Sequence, residues 1–152
     1  MKVKHVVVAL TAIVLSSTAT FALAQAKPEV LVKQRQAAMT LQGKYFGPMV
    51  AMAQDKAPFN ATVIARNAGY LDALARMPWD GFDAATKDVK SDALPAVYSD
   101  AAKFKQAGEN LQAAVGKLVA ASKGSDEAAT KAAIGAVGKT CGGCHDDFRQ
   151  KH

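Results

Sequence analysis

The chain has 152 residues, a length that suits one domain. Half of its residues are hydrophobic, but alanine supplies much of that share and aromatics only 7%, a balance that favours helices over sheets. The formal charge of +6 comes from lysines scattered along the chain, and without a basic-aromatic surface this charge argues against nucleic acid as a partner.

In chain order, residues 1–24 read as a secretory signal peptide. Lys2, Lys4 and His5 precede a largely apolar run over 6–15, and Ala22, Leu23 and Ala24 form a small-residue cleavage pattern. The run is too short for a membrane-spanning helix, which needs about 20 apolar residues. A cut after Ala24 leaves residues 25–152 as the mature domain, lowers the formal charge from +6 to +4, and leaves no long apolar stretch behind. The expectation is a soluble, exported protein with no membrane contact once the leader is gone.

A first helix is predicted from 28 to about 53. Pro28 and Glu29 suit its first turn. Val32, Arg35, Met39, Phe46, Val50 and Ala53 fall near one face, and Pro48 is expected to kink or divide the helix. Asn60 suits an N-cap for a second helix over 61–76, with Ile64, Ala68, Leu71 and Ala75 at helical spacing. Residues 78–95 form a long irregular loop with Trp79 and Phe82 as anchors; loops of that length are often functional. A third helix runs from about 96 or 99 to 122 along a seam of Phe104, Gly108, Leu111, Val115 and Leu118. Ser125 is the expected cap of a fourth helix continuing to about 151. The pattern predicts an all-α, antiparallel four-helix bundle.

The fourth helix carries the chemistry. Ile134, Val137, Cys141, Cys144 and Phe148 follow one another at three, four, three and four residues, the spacing of a bundle seam. Cys141, Gly142, Gly143, Cys144 and His145 form a CxxCH motif, the attachment signal for c-type haem. Each thiol can add across one haem vinyl group, and His145 then offers its imidazole to the iron. The seam places both sulfurs and the imidazole on one face, near the C-terminus of the bundle.

Other readings of the pair fit less well. A thioredoxin-like dithiol opens a helix beside strands, whereas this pair lies deep in a helix. A zinc site needs further ligands, and outside the leader only His145 and His152 are available. A plain disulfide leaves His145 unexplained.

The far side of the iron is open to two readings. Methionine or histidine there gives a six-coordinate electron carrier; an apolar pocket favours binding of small gases. Met39 is the methionine whose helical phase best faces the bundle centre. Spacing alone leaves both readings standing.

These residues carry a family resemblance. A haem motif at the C-terminal end of a four-helix chain resembles cytochrome c′, a class II cytochrome c, over the whole mature chain. The similarity runs through Lys27, Pro28 and Glu29, the stretch from Arg35 to Leu41, Lys56 to Phe59, Pro78 and Trp79, Ser99 to Phe104, and the haem-bearing end from Cys141 to Lys151.

The resemblance implies a periplasmic monohaem protein with one covalent haem c, five-coordinate and mainly high-spin. It binds nitric oxide and carbon monoxide and has a role in electron transfer. Met39 then covers the distal face, Arg149 stands beside the proximal His145, and Arg35 and Gln36 lie near the haem and its propionates. Asp92 corresponds to another haem-edge residue. A homodimer through the first two helices is expected, with an unnamed redox partner. No residue on the distal side suits acid–base cleavage of an O–O bond, so a binding protein is expected here and not an enzyme. The alternative is a low-spin, six-coordinate carrier with Met39 as sixth ligand.

Overall fold

A computed structural model describes residues 26–151; the leader expected at 1–24 lies outside the described residues. These residues form α1 (Pro28–Ala53), α2 (Ala61–Leu74), α3 (Ala96–Ser99), α4 (Ala101–Ala121) and α5 (Glu127–Phe148). The short connections 54–60 and 122–126 make α1 antiparallel to α2 and α4 antiparallel to α5. The long helices close a ring in which α1 touches α2 and α5, and α4 touches α2 and α5. Met49, Ile64, Leu71, Val115, Leu118, Ile134 and Val137 fill the core, each at most 2% exposed. No helix among the described residues is long and apolar enough to cross a membrane.

Local chemistry sets the helix limits. Asn60 caps α2 as expected, its side chain accepting from Val63 N at 3.0 Å. The expected third helix is instead two pieces. Asp100 leaves helical geometry after the single turn of α3, and its carboxylate caps α4 on Lys103 N. Asp126, not Ser125, caps α5, accepting from Ala129 N at 2.9 Å. Both aspartate caps have one advantage: a carboxylate at the Ncap position also complements the helix dipole. Helix α2 ends at Leu74, before the expected 76, and α5 ends at Phe148, before the expected 151. Beyond Phe148 the chain turns extended and pairs with the long loop.

Pro48 does not divide α1, which runs through it. The carbonyl of Lys44 loses its helical partner there, but both residues are exposed, so water can satisfy it. Two buried amides brace the same stretch from inside: Gln42 Nε2 donates to Leu74 O at 3.0 Å, and Asn67 Nδ2 donates to Tyr45 O at 3.2 Å.

The opposite end is closed by charge. Asp55 stands at φ 57°, a strained conformation for a side chain with a Cβ. Its carboxylate meets Lys131 Nζ at 2.6 Å, and Glu127 meets the same ammonium at 2.7 Å.

The loop between α2 and α3 holds two 3-10 turns, Trp79–Phe82 and Ala84–Thr86. Trp79 anchors it, donating its indole N–H to Ala75 O at 2.7 Å and packing its ring over Gly108. Phe82 lies against Trp79 and Phe104. Gly81 is pressed on α1: a Cβ there would stand 2.8 Å from both Leu31 O and Arg35 Cβ.

Substituting Gly81→Ala should therefore destabilise the fold by about 1–3 kcal/mol, read by urea unfolding. Gly135→Ala, on α5 where a Cβ meets nothing within 4 Å, should stabilise it by about 0.5–1 kcal/mol through helix propensity.

Candidate haem site

The seam of α5 sets the site. Ile134 and Val137 are fully buried against the other helices and fix the helix rotation. Cys141 and Cys144 continue that stripe, half-buried, and Phe148 closes it at 5% exposure. The two thiols are not joined to each other. With Met39, Gln42 and Phe46 of α1, Leu71 of α2, Phe104 and Leu111 of α4, and Trp79 and Phe82 of the loop, they line one cavity of about 730 Å³. That volume lies in the range of about 300–1,000 Å³ found for cofactor and ligand pockets.

The walls are mostly aromatic and aliphatic. Phe104 is central, with its ring 5.7 Å from Trp79, 4.7 Å from Phe82 and 5.2 Å from Phe148, all edge-on. Such edge-to-face contacts hold an apolar wall in a fixed shape.

Arg35 is the polar hub of that wall. It is 3% exposed. Its Nη1 donates to Gly81 O at 2.6 Å, Thr86 Oγ1 at 3.0 Å and Tyr98 OH at 3.3 Å, while Nη2 donates to Ser91 Oγ at 2.9 Å. The guanidinium carbon lies 4.3 Å from the Phe82 ring centroid. Arg35 thus joins α1 to the whole length of the long loop, and its hydrogen-bond partners are all uncharged. A surface role for this arginine is ruled out by its burial.

The loop also meets the end of α5. Leu94 N donates to Phe148 O at 2.9 Å and Gln150 N donates to Asp92 O at 2.8 Å, a short antiparallel bridge centred on Ala93 and Arg149. Arg149 and Asp92 then stand across the cavity rim from each other, Nη2 to Oδ2 at 3.8 Å. Gln36 and His145 lie at the exposed edge of the same cavity. All the residues expected at the site, Arg35, Gln36, Met39, Asp92, Cys141, Cys144, His145 and Arg149, line this one cavity.

Sequence reasoning missed four others: Gln42, Ser91, Thr86 and Tyr98. Gln42 was within reach, standing three residues after Met39 and seven after Arg35 on the cavity stripe. Thr86, Ser91 and Tyr98 carry no periodic signal, because an irregular loop and a single-turn helix present them.

Burial pushes the Cys141 thiol up, and burial, with smaller contributions from Cys141 and Asp147, pushes Cys144 up. Both shifts disfavour the reactive thiolate. Loss of hydration holds His145 below its usual value, and the positive charge of Arg149 adds to this against a weaker pull from Asp146. A neutral imidazole keeps a lone pair for metal. Among the described residues no three His, Cys, Asp or Glu side chains gather as a metal-binding group. The donor set thus fits a cofactor that brings its own in-plane ligands: two thiols to bond it, one imidazole beside them, and an apolar slot to hold a flat ring.

Comparison with known proteins agrees. The family model described as Cytochrome C' matches residues 30–149. Cytochrome c' of Rubrivivax gelatinosus is 47% identical over 126 residues, covering 82% of this chain and 98% of the relative. Its solved structure matches with a TM-score of 0.78 at 46% identity, over 82% of this chain and 98% of that one. Variants of cytochrome c prime from Alcaligenes xylosoxidans, solved with nitric oxide and with carbon monoxide, each match with a TM-score of 0.77 at 41% identity, over 83% of this chain and 98% of theirs. A four-helix fold, a C-terminal CxxCH seam and similarity along the full described domain together place the chain in the cytochrome c' family, whose members bind haem c covalently.

Proposed function

We propose that residues 25–152 form a periplasmic monohaem cytochrome whose five-coordinate, mainly high-spin haem binds nitric oxide and carbon monoxide. The observation that carries this reading is the single cavity that Cys141, Cys144 and His145 of α5 line together with Met39 and Phe46 of α1. Haem, when bound, supplies an iron centre that exchanges one electron and takes a diatomic ligand.

The chain's own residues divide the remaining work. Cys141 and Cys144, free thiols on one face of α5, would hold the haem through two thioether bonds. His145 presents its neutral imidazole from the same helix face. Gly142 and Gly143, between the two thiols, have no side chain to crowd the ring edge, and a Cβ at either position would point into open space. Arg35 and Gln36, both on the cavity lining, are assigned as the cationic and amide partners of the haem's carboxylates. Asp92 holds Arg149 at the rim beside His145. Met39, Phe46, Leu71 and Leu111 keep bulk water from the distal side and leave room for a ligand of two atoms.

Relatives solved with nitric oxide and carbon monoxide support the gas-binding part of the reading. The basic start, short apolar run and small-residue pattern at 1–24 support a removable leader and, with it, export to the periplasm. Binding and release need no turnover chemistry, so an enzyme is not proposed. The second reading, a low-spin six-coordinate carrier, rests on Met39, whose side chain lines the cavity and carries a thioether that can ligate iron.

A homodimer through α1 and α2 completes the proposal. Among the described residues, Val30 and Leu41 on α1, Tyr70 on α2 and Met77 just beyond it are the large hydrophobics left exposed. The 4.9 Å contact of the Tyr45 and Tyr70 rings joins the two helices' outer faces. These exposed apolar side chains on α1 and α2 support an interface through the two helices.

Absorption spectroscopy separates the two haem readings. The open site predicts that reduced protein binds carbon monoxide and that Met39→Leu leaves the oxidised spectrum nearly unchanged. A methionine–sulfur band in the oxidised protein, lost in Met39→Leu, with no carbon monoxide binding, would establish the six-coordinate reading instead. For the dimer, sedimentation should show two chains per particle and Tyr70→Glu should release monomers; a monomeric parent protein refutes that interface.

A further inference from the structure

We infer that Gln42 is a specificity-determining residue of the gas pocket: its amide holds a water molecule in the apolar part of the cavity, which a ligand without hydrogen-bond donors must displace. The inference rests on the open-site reading above.

Gln42 is a polar side chain in an apolar place. It is 7% exposed and lines the cavity. Met39 stands three residues before it and Phe46 four after, so the three share one stripe of α1. Leu71 and Leu111 line the same cavity from α2 and α4. A residue of this type is rarely buried without a polar task.

One half of the amide is accounted for. Nε2 donates to Leu74 O at 3.0 Å. That bond also fixes the amide's orientation, because a carbonyl acceptor requires the NH₂ end there and not the oxygen. Oε1 takes part in no hydrogen bond within the chain. Yet among the described residues no side-chain nitrogen or oxygen shut off from solvent lacks a partner. Oε1 therefore keeps some exposure, and the cavity is a space that Gln42 lines.

Neighbouring hydroxyls do not take up this acceptor. Thr40 Oγ1 donates to Gln36 O at 2.9 Å and Thr140 Oγ1 donates to Val137 O at 2.8 Å, each within its own helix. Gln42 itself offers the acceptor Oε1 and the second N–H of Nε2, the two polar partners that a buried water needs at minimum. Carbon monoxide and nitric oxide have no O–H or N–H to give to Oε1. Displacing a held water with such a ligand loses a hydrogen bond that the ligand cannot replace, and affinity falls accordingly. Gln42 thus weakens binding of these gases relative to an all-apolar wall.

The test uses the haem-loaded protein and Gln42→Met, which keeps the length of the side chain and removes its amide. Carbon monoxide affinity of the reduced protein should rise by about three- to tenfold, the worth of one neutral hydrogen bond. Independently, relaxation of solvent protons by the oxidised, paramagnetic protein should show a water exchanging near the iron, and Gln42→Met should reduce that contribution. Loss of the bond to Leu74 O moves the unfolding midpoint but not this relaxation. Unchanged affinity and unchanged relaxation in Gln42→Met would overturn the inference. If that variant does not fold, the parent protein decides alone: no exchanging-water contribution overturns it. A parent protein that binds no carbon monoxide contradicts the open-site reading itself, an outcome distinct from gas binding that Gln42→Met leaves unaltered.

Discussion

A cavity of about 730 Å³ inside a four-helix domain is the constraint on which the rest of the structure depends. Left unfilled, a cavity of that size would set Phe46, Trp79, Phe82, Phe104 and Phe148 against water, apolar surface whose burial is worth about 25 cal/mol per Å². The helices are therefore arranged for an occupant that is flat, apolar over most of its surface and permanent. Two thiols on the cavity-facing stripe of α5 supply the permanence.

The cavity keeps its shape because its irregular wall is tied down. Arg35 reaches from α1 to four points of the loop and following turn, Gly81, Thr86, Ser91 and Tyr98. The bridge between residues 92–94 and 148–150 fastens the loop's far end to the close of α5. These two fastenings turn an otherwise irregular segment into a rigid side of the site. The cost is a buried guanidinium among neutral acceptors, a charge whose burial is more easily sustained when an anionic edge of the occupant comes near.

The sequence carried the helices and the attachment chemistry in patterns of short range. The three-four spacing from Ile134 to Phe148 was enough to orient Cys141 and Cys144, and Asn60 was enough to begin α2. Helix ends were less legible where two candidate caps adjoin: Ser125 and Asp126 both fit an Ncap, and the carboxylate won. Pro48 misled because the local rule counts a lost hydrogen bond without asking whether water or a neighbouring helix makes up for it. Asn67 of α2 bonds to Tyr45 O and Gln42 of α1 bonds to Leu74 O, ties between the two helices that are facts of tertiary packing. The hydroxyl partners of Arg35 come from a loop with no period, so no sequence pattern could have gathered them. Helical phase drew Met39 to the site, similarity to a family drew Arg35, Gln36, Asp92 and Arg149, and the cavity brings these residues together.

The central claim is that this chain carries haem bonded through Cys141 and Cys144, and denaturing mass spectrometry tests it most directly. The account predicts a chain beginning at Gln25 that remains heavier by one haem after unfolding, with the added mass on the peptide that spans Cys141 to His145. A chain that sheds its haem completely on denaturation, or that carries none when produced with the haem-attachment machinery, would contradict it.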